Sequence, residues 1–207
     1  MVSSIKFSIF IFLILANFSC QNSEQRTSKK VEKDFGLFPN ENDSLAVELK
    51  FAEYNNWREL LERTERIVCN DSLPKITIEN DSLIKRVYFK NPCWEEVICV
   101  LTKQRNIIQI HNDTISKYDQ LLYPLDSLGS VLRRDFENNG KVPSLSETSE
   151  KLMFAISYDN DWIERLPVTL KRLTKEYEKV TDSIVLKVWL NEKLETPPPP
   201  PPPDSLE

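Results

Sequence analysis

Residues 152–158, LMFAISY, form the most strand-like stretch of this chain of 207 residues. Six of the seven side chains are apolar or aromatic, and polar segments lie on both sides of the run. A short apolar run between polar loops is typical of a β-strand in the core of a domain. The stretch therefore predicts a strand, and the elements around it can be placed outward from there.

A helix follows this strand. Its apolar residues step by four, three, four and three positions, which is the spacing of one helical face: Leu166, Leu170, Leu173, Tyr177 and Val180. Pro167 is tolerated only in the first turn, so the helix begins near that residue. The run SIVLKVWL at 183–190 predicts a further strand beyond it.

Upstream, the polar loop at 138–150 separates the strand at 152–158 from a helix predicted over 126–136. Asp126 is suited to cap this helix, and Leu128, Val131, Leu132 and Phe136 form its apolar face. Before it, residues 106–110 predict another strand.

The N-terminal half predicts a helix over 57–68, with Asn55 or Asn56 as its cap. A β-hairpin is predicted over 75–90, with polar turn residues at 80–82. Alternating apolar residues at 45–51 indicate a short strand before the helix, although the residues between them also suit a helix. Together the patterns predict an α+β protein, in which a two-layer mixed sheet packs against two or three helices.

Residues 104–180 resemble the periplasmic domain of the ExbD/TolR biopolymer-transport family. The stretches that carry the resemblance are RNII at 105–108, the loop and strand at 139–161, and LKRLTKEYEKV at 170–180. The resemblance implies a unit at 104–190 that self-associates or contacts an envelope partner or the cell wall. Members of the family also use a carboxylate inside a transmembrane helix, a costly group normally kept for function.

The first twenty residues do not supply that helix. Lys6 precedes an apolar run at 7–18 without Asp or Glu, and twelve residues fall short of the roughly 20 needed to span a bilayer. We expect a signal peptide at 1–19. Cys20 stands where a bacterial lipobox places the acylated thiol, although Asn17 departs from that pattern. The chain is therefore predicted to be exported and anchored by lipid at Cys20, facing the periplasm or the surface of a Gram-negative cell.

The remaining boundaries follow from composition. Residues 20–43 are polar and predict a flexible tether, and 44–103 hold the first helix and the hairpin. A tail at 191–207 carries seven consecutive prolines at 197–203, which favour a polyproline II rod. Such a rod either docks into an aromatic groove or remains a stiff exposed tail.

Three cysteines follow Cys20. Cys69 and Cys93 are the favoured disulfide pair, because Cys93 and Cys99 would lie on different faces of a helix. Cys99 is then predicted to be a small buried apolar residue. The alternative is three free thiols.

Asp followed by Ser or Thr and then Leu or Ile occurs seven times, a pattern similar to an O-glycosylation sequon of exported bacterial proteins. The best candidates for modification are Ser44, Ser72 and Ser205. The alternative is that Asp-Ser forms turns and caps, and that the apolar residue starts the next core segment.

Several kinds of chemistry are disfavoured. Only three glycines occur and none are clustered, so standard phosphate-binding loops are not expected. A net charge of −5, with acidic and basic residues mixed along the chain, does not indicate a basic surface for binding nucleic acid. His111 is the single histidine, so a zinc site or a catalytic triad has little support. Asp159 and Asp161 lie beside Trp162, an arrangement that could indicate a glycosidase site. Spacing alone does not support that interpretation, and Asp161 with Glu164 suits a helix-capping pair equally well. The four tryptophans are predicted to lie in the core.

The sequence therefore predicts a non-enzymatic envelope lipoprotein without cofactor or metal. It would be an accessory related to the periplasmic domain of transport-energising proteins. The alternative is a stand-alone binding or immunity-type lipoprotein that holds a ligand or neutralises a toxin.

Overall fold

The computed structural model describes residues 30–80, 82–96, 102–118 and 121–193. Two mixed sheets and three α-helices make up the described part, which confirms the α+β class. The helices are α1 (Trp57–Val68), α2 (Leu128–Asn138) and α3 (Leu166–Tyr177). The strands are β1 (Val31–Phe35), β2 (Ala46–Glu48), β3 (Leu73–Glu79), β4 (Leu83–Tyr88), β5 (Ile107–His111), β6 (Thr114–Ser116), β7 (Leu122–Pro124), β8 (Met153–Ser157) and β9 (Val188–Leu190).

The first sheet has the order β1-β4-β3-β2 and contains the predicted hairpin, β3–β4. Helix α1 begins at the predicted residue because the Asn56 side chain accepts a hydrogen bond from Glu59 N at 3.0 Å. The Glu59 carboxylate in turn accepts from Asn55 N at 2.8 Å. The first bond satisfies a backbone donor that the helix start leaves unpaired, and the second ties the residue before the cap to the first turn.

The second sheet has the order β7-β6-β5-β8-β9 and is built around the stretch LMFAISY. Strands β5, β8 and β9 are parallel, and α2 and α3 are the crossovers that parallel pairing requires. On the inner face, strand side chains pack into the main core with both helices. On the outer face, Ile107, Met153 and Ala155 form a small second cluster with Trp189.

One continuous apolar core joins the two sheets. The edge of β9 is covered by the segment after β4, since Lys90 N donates to Val188 O at 2.9 Å. The Asn91 side chain continues this pairing and bonds both backbone groups of Leu190, at 2.6 and 3.0 Å. The boundary predicted at 103/104 thus falls between the sheets, but the two parts share their interior.

The predicted tether at 20–43 is wrong for residues 31–35, which form β1 parallel to β4. This strand escapes a search for apolar alternation because Phe35 is its only buried residue. Its polar side chains make ion pairs instead: Arg86 binds both Glu32 and Asp34.

The predicted strand at 183–190 is shorter than expected and comprises only Val188–Leu190. Residues before it form a loop in which Ile184 is 48% exposed and its carbonyl accepts from Gly36 N. A φ of +84° and backbone oxygens 2.7 Å from any Cβ explain why Gly36 is required at this contact.

Asp126 does not cap α2. A 3₁₀ turn over Leu125–Ser127 runs directly into the helix, and Ser127 occupies the cap position without a side-chain bond. The Asp126 carboxylate accepts a hydrogen bond from Arg172 on α3 instead. The residue therefore links two helices rather than starting one.

Several predictions fall outside the described residues: the signal peptide at 1–19, Cys20, the tether at 20–29, Cys99, Ser205 and the proline run at 197–203. Within the described residues, none of the helices has the length and hydrophobicity that a bilayer span needs.

Candidate functional site

A groove of about 660 Å³ lies between α1 and the outer face of the second sheet. Its apolar lining comes from Leu61, Pro92, Trp94, Ile107, Trp189 and Leu190. Charged side chains from α1 and from residues 192–193 complete its wall. This volume is within the range of about 300–1,000 Å³ that is usual for ligand pockets.

Two tryptophans give the groove its character. Trp189 lies on the outer face of β9 because its neighbours Val188 and Leu190 face the core. Trp94 stands edge-on to it, with ring centroids 6.2 Å apart and planes at 86°. Trp94 remains 46% exposed, although burying an aromatic ring of this size is strongly favourable. Together the two rings form an open aromatic surface.

The prediction that all four tryptophans are core residues is therefore only partly correct. Trp57 is buried at 2% exposure, whereas Trp94 and Trp162 are 46% and 45% exposed. Helical or strand periodicity places a side chain on one face of an element, but it does not reveal whether anything covers that face.

A disulfide joins Cys69 and Cys93 near the groove, with Cα atoms 4.9 Å apart. This is the pair favoured by the sequence. It ties the end of α1 to the segment that carries Trp94, and both of these elements contribute residues to the groove.

We expect the double variant Cys69→Ala/Cys93→Ala to lose about 3 kcal/mol of unfolding free energy, because the cross-link closes a loop between residues 24 positions apart. Urea denaturation monitored by circular dichroism measures this loss. Cys99→Ala is the matched control and leaves the cross-link intact. Three reactive thiols in the denatured, unreduced protein would contradict the pairing, since only Cys99 should react.

A polar cluster, separate from the groove, lies where β5 and β8 end. His111 Nδ1 is 3.0 Å from Ser157 Oγ, and His111 Nε2 is 3.6 Å from Asp159 Oδ1. These three residue types can form a nucleophile–base–acid arrangement. The sequence offered little support for one, because it contains a single histidine. However, Ser157 is only 6% exposed, and the histidine–aspartate distance exceeds a hydrogen bond.

The Asp159 carboxylate is held by another residue. Asn112 Nδ2 donates to Asp159 Oδ2 at 2.6 Å, and Asp159 N donates to Asn112 Oδ1 at 3.0 Å. These bonds tie the β5–β6 turn to the end of β8. The geometry favours a role in orienting the turn over one in activating Ser157, which lies beneath the surface.

The same turn is secured from its other side by Asp113, whose φ of 61° is left-handed. Its carboxylate accepts hydrogen bonds from Arg165 and from Thr169 Oγ1. The Tyr158 hydroxyl donates to Asp113 Oδ1 at 3.4 Å and lies 2.5 Å from Thr169 Oγ1, and burial raises the pKa of this phenol well above the ordinary value. The phenol therefore stays protonated and serves as a neutral hydrogen-bonding group.

The glycosylation candidates differ in accessibility. Ser44 is exposed, and the next residue, Leu45, is 54% exposed, so it does not begin a core segment as the alternative interpretation requires. Ser72 is partly buried and donates to Asn70 O at 3.2 Å. Ser44 is therefore the more accessible of the two hydroxyl groups.

Across the described ranges, no group of three or more His, Cys, Asp or Glu residues could hold a metal ion. No family model matches the chain, and comparisons with curated proteins and with solved structures find no match either.

Proposed function

We propose that the protein is a non-enzymatic envelope lipoprotein related to the periplasmic domain of ExbD/TolR-like transport-energising proteins. It would lack the intramembrane carboxylate and act by binding an envelope partner or a second copy of itself. The order of elements from β5 to β9 carries the proposal. After β5 come its antiparallel neighbours β6 and β7, then α2, β8, α3 and β9, and the strands β5, β8 and β9 pair in parallel.

The edge strand β7 supports a role in association. In the described residues, β6 is its only strand neighbour, whereas the opposite edge at β9 is covered by residues 89–91. Leu122 on β7 is 70% exposed, and Tyr118 beside it is 54% exposed. An edge strand with exposed apolar side chains can accept another strand from a partner.

We expect a photo-crosslinking amino acid at Leu122 to link the membrane-bound protein to itself or to an envelope protein in intact cells. Val168, which is 47% exposed on α3, provides the matched control position. Cys20→Ser should release the protein from the membrane fraction or leave an uncleaved precursor. Crosslinking at Leu122 no stronger than at Val168, or retention of the mature Cys20→Ser protein in membranes, would contradict the proposal.

A stand-alone binding lipoprotein is the second candidate, and the tryptophan groove is the observation that favours it. In that case Trp94→Ala, rather than a change at Leu122, would abolish capture of the partner. The two candidates are therefore separated by which surface the captured partner needs.

A further inference from the structure

We propose that the proline run at 197–203 of the same chain binds in the groove between Trp94 and Trp189. The last described residues already lie at the groove, because Asn191 and Lys193 belong to its wall. Only residues 194–196 separate that wall from the first proline. The groove and its occupant are thus adjacent in the chain.

The chemistry of the two surfaces is complementary. Proline-rich segments in the polyproline II conformation bind to grooves lined by aromatic side chains, where pyrrolidine rings pack against the indoles. Trp94 leaves nearly half of its surface uncovered, and the partly buried Pro92 and Leu61 extend the apolar lining. The seven prolines carry no side-chain charge and no backbone N–H, so they suit a surface that offers mainly apolar contact.

The lengths also agree. Three residues reach roughly 10 Å when extended, and seven prolines form a rod of roughly 22 Å. Along α1, the groove extends from Arg58 to Glu65, which is roughly 10 Å of helix. The rod is therefore long enough to cover the groove.

The short connection makes the tail a strong competitor for its own groove. A segment tethered by a short linker has an effective concentration of about a millimolar, so even a weak contact is largely formed. Because the prolines are uncharged, we expect the contact to persist at high salt, unlike an exposed ion pair.

The first test compares the purified protein with a variant whose seven prolines are replaced by a Gly-Ser spacer of equal length. We expect the indole N–H resonances of Trp94 and Trp189 to shift, at all protein concentrations. That of Trp162 should not shift, and Trp162 is the matched control because its exposure, 45%, is close to the 46% of Trp94. Unshifted Trp94 and Trp189 resonances would overturn the proposal.

The second test adds a synthetic peptide of residues 194–207 to both proteins. We expect it to bind the spacer variant about tenfold more tightly than the native protein, since the tethered tail competes at millimolar effective concentration. Trp94→Ala in the spacer variant should abolish binding, and Trp162→Ala should leave it unchanged. Equal binding to both proteins, or resonance shifts that appear only as the protein dimerises, would assign the groove to another occupant and overturn the proposal.

Discussion

Replacing Lys117 with methionine is expected to lower the free energy of unfolding by about 3–5 kcal/mol. Lys117 Nζ lies 2.7 Å from Asp135 Oδ1, and both side chains are fully buried. Removing Lys117 leaves the buried Asp135 carboxylate without its counter-charge, which costs far more than the pair contributes. Asp135 is especially sensitive, because its Oδ2 has no hydrogen-bond partner among the described residues. Urea denaturation of the purified protein measures the loss.

The double variant Lys117→Met/Asp135→Leu separates charge from packing. We expect it to be more stable than Lys117→Met alone, because no uncompensated charge remains in the core. Lys171→Met on the exposed face of α3 is the control and should change stability by less than about 0.5 kcal/mol. A double variant less stable than Lys117→Met would show that shape and hydrogen bonding, rather than charge, determine the cost.

This ion pair also organises the long loop after α2. Ser146 N donates to Asp135 Oδ1 at 2.9 Å, and Ser146 Oγ donates to Asn106 Oδ1 at 3.1 Å. Glu147 N donates to the same Asn106 oxygen at 2.9 Å. On the surface, Lys103, Lys151 and Arg105 surround the Glu147 carboxylate and hold its pKa well below its usual range. The sequence indicated only a polar loop here, because these bonds join residues far apart in the chain.

Elements whose periodicity and end signals agree could be predicted from the sequence. Helix α1 begins after Asn56 and ends at Val68, as its apolar face and its cap indicated. The central strand β8 was also recognised from its composition, since all five of its residues are buried. In both cases the local pattern and the tertiary environment favour the same structure.

Predictions failed where tertiary contacts decided the structure. The polar sequence of β1 gives no strand signal, yet β4 and the ion pairs of Arg86 hold it in the sheet. The groove was missed for the same reason, because Trp94 and Trp189 meet only through the fold. The proline run was predicted either to dock into an aromatic groove or to remain a stiff exposed tail, and the sequence did not show that residues 191–193 line such a groove.

Ion pairs also connect the residue after helix α3, which packs on the second sheet, to strands of the first sheet. Glu178, just after α3, binds Lys33 at 2.6 Å and Lys85 at 2.5 Å. Burial by itself would raise the pKa of Glu178, but the two lysines outweigh it and keep the pKa below its ordinary value. The two parts of the chain are thus joined by polar contacts as well as by the shared core.

Trp57→Ala is expected to cost about 3–5 kcal/mol, because it removes the largest side chain at the junction of the two sheets. Trp57 belongs to α1, but it is 2% exposed and stands edge-on to Tyr158 at 5.3 Å. Its Nε1 donates to Asn191 O at 3.0 Å. Urea denaturation measures the loss, and Trp162→Ala is the matched control for loss of an exposed indole. Trp57→Phe should cost less, since it keeps most of the packing and loses the hydrogen bond.

The same variant tests whether the two sheets unfold as one unit. With a shared core, circular dichroism and fluorescence should report coincident transitions for the native protein and for Trp57→Ala, both displaced to lower urea in the variant. Two separate transitions in either protein would mean that residues 104–190 keep their fold when the first sheet is lost. That result would make the second sheet an independent unit, and the contacts of Trp57 with Tyr158 and Asn191 would then be a docking surface between two domains rather than part of one core.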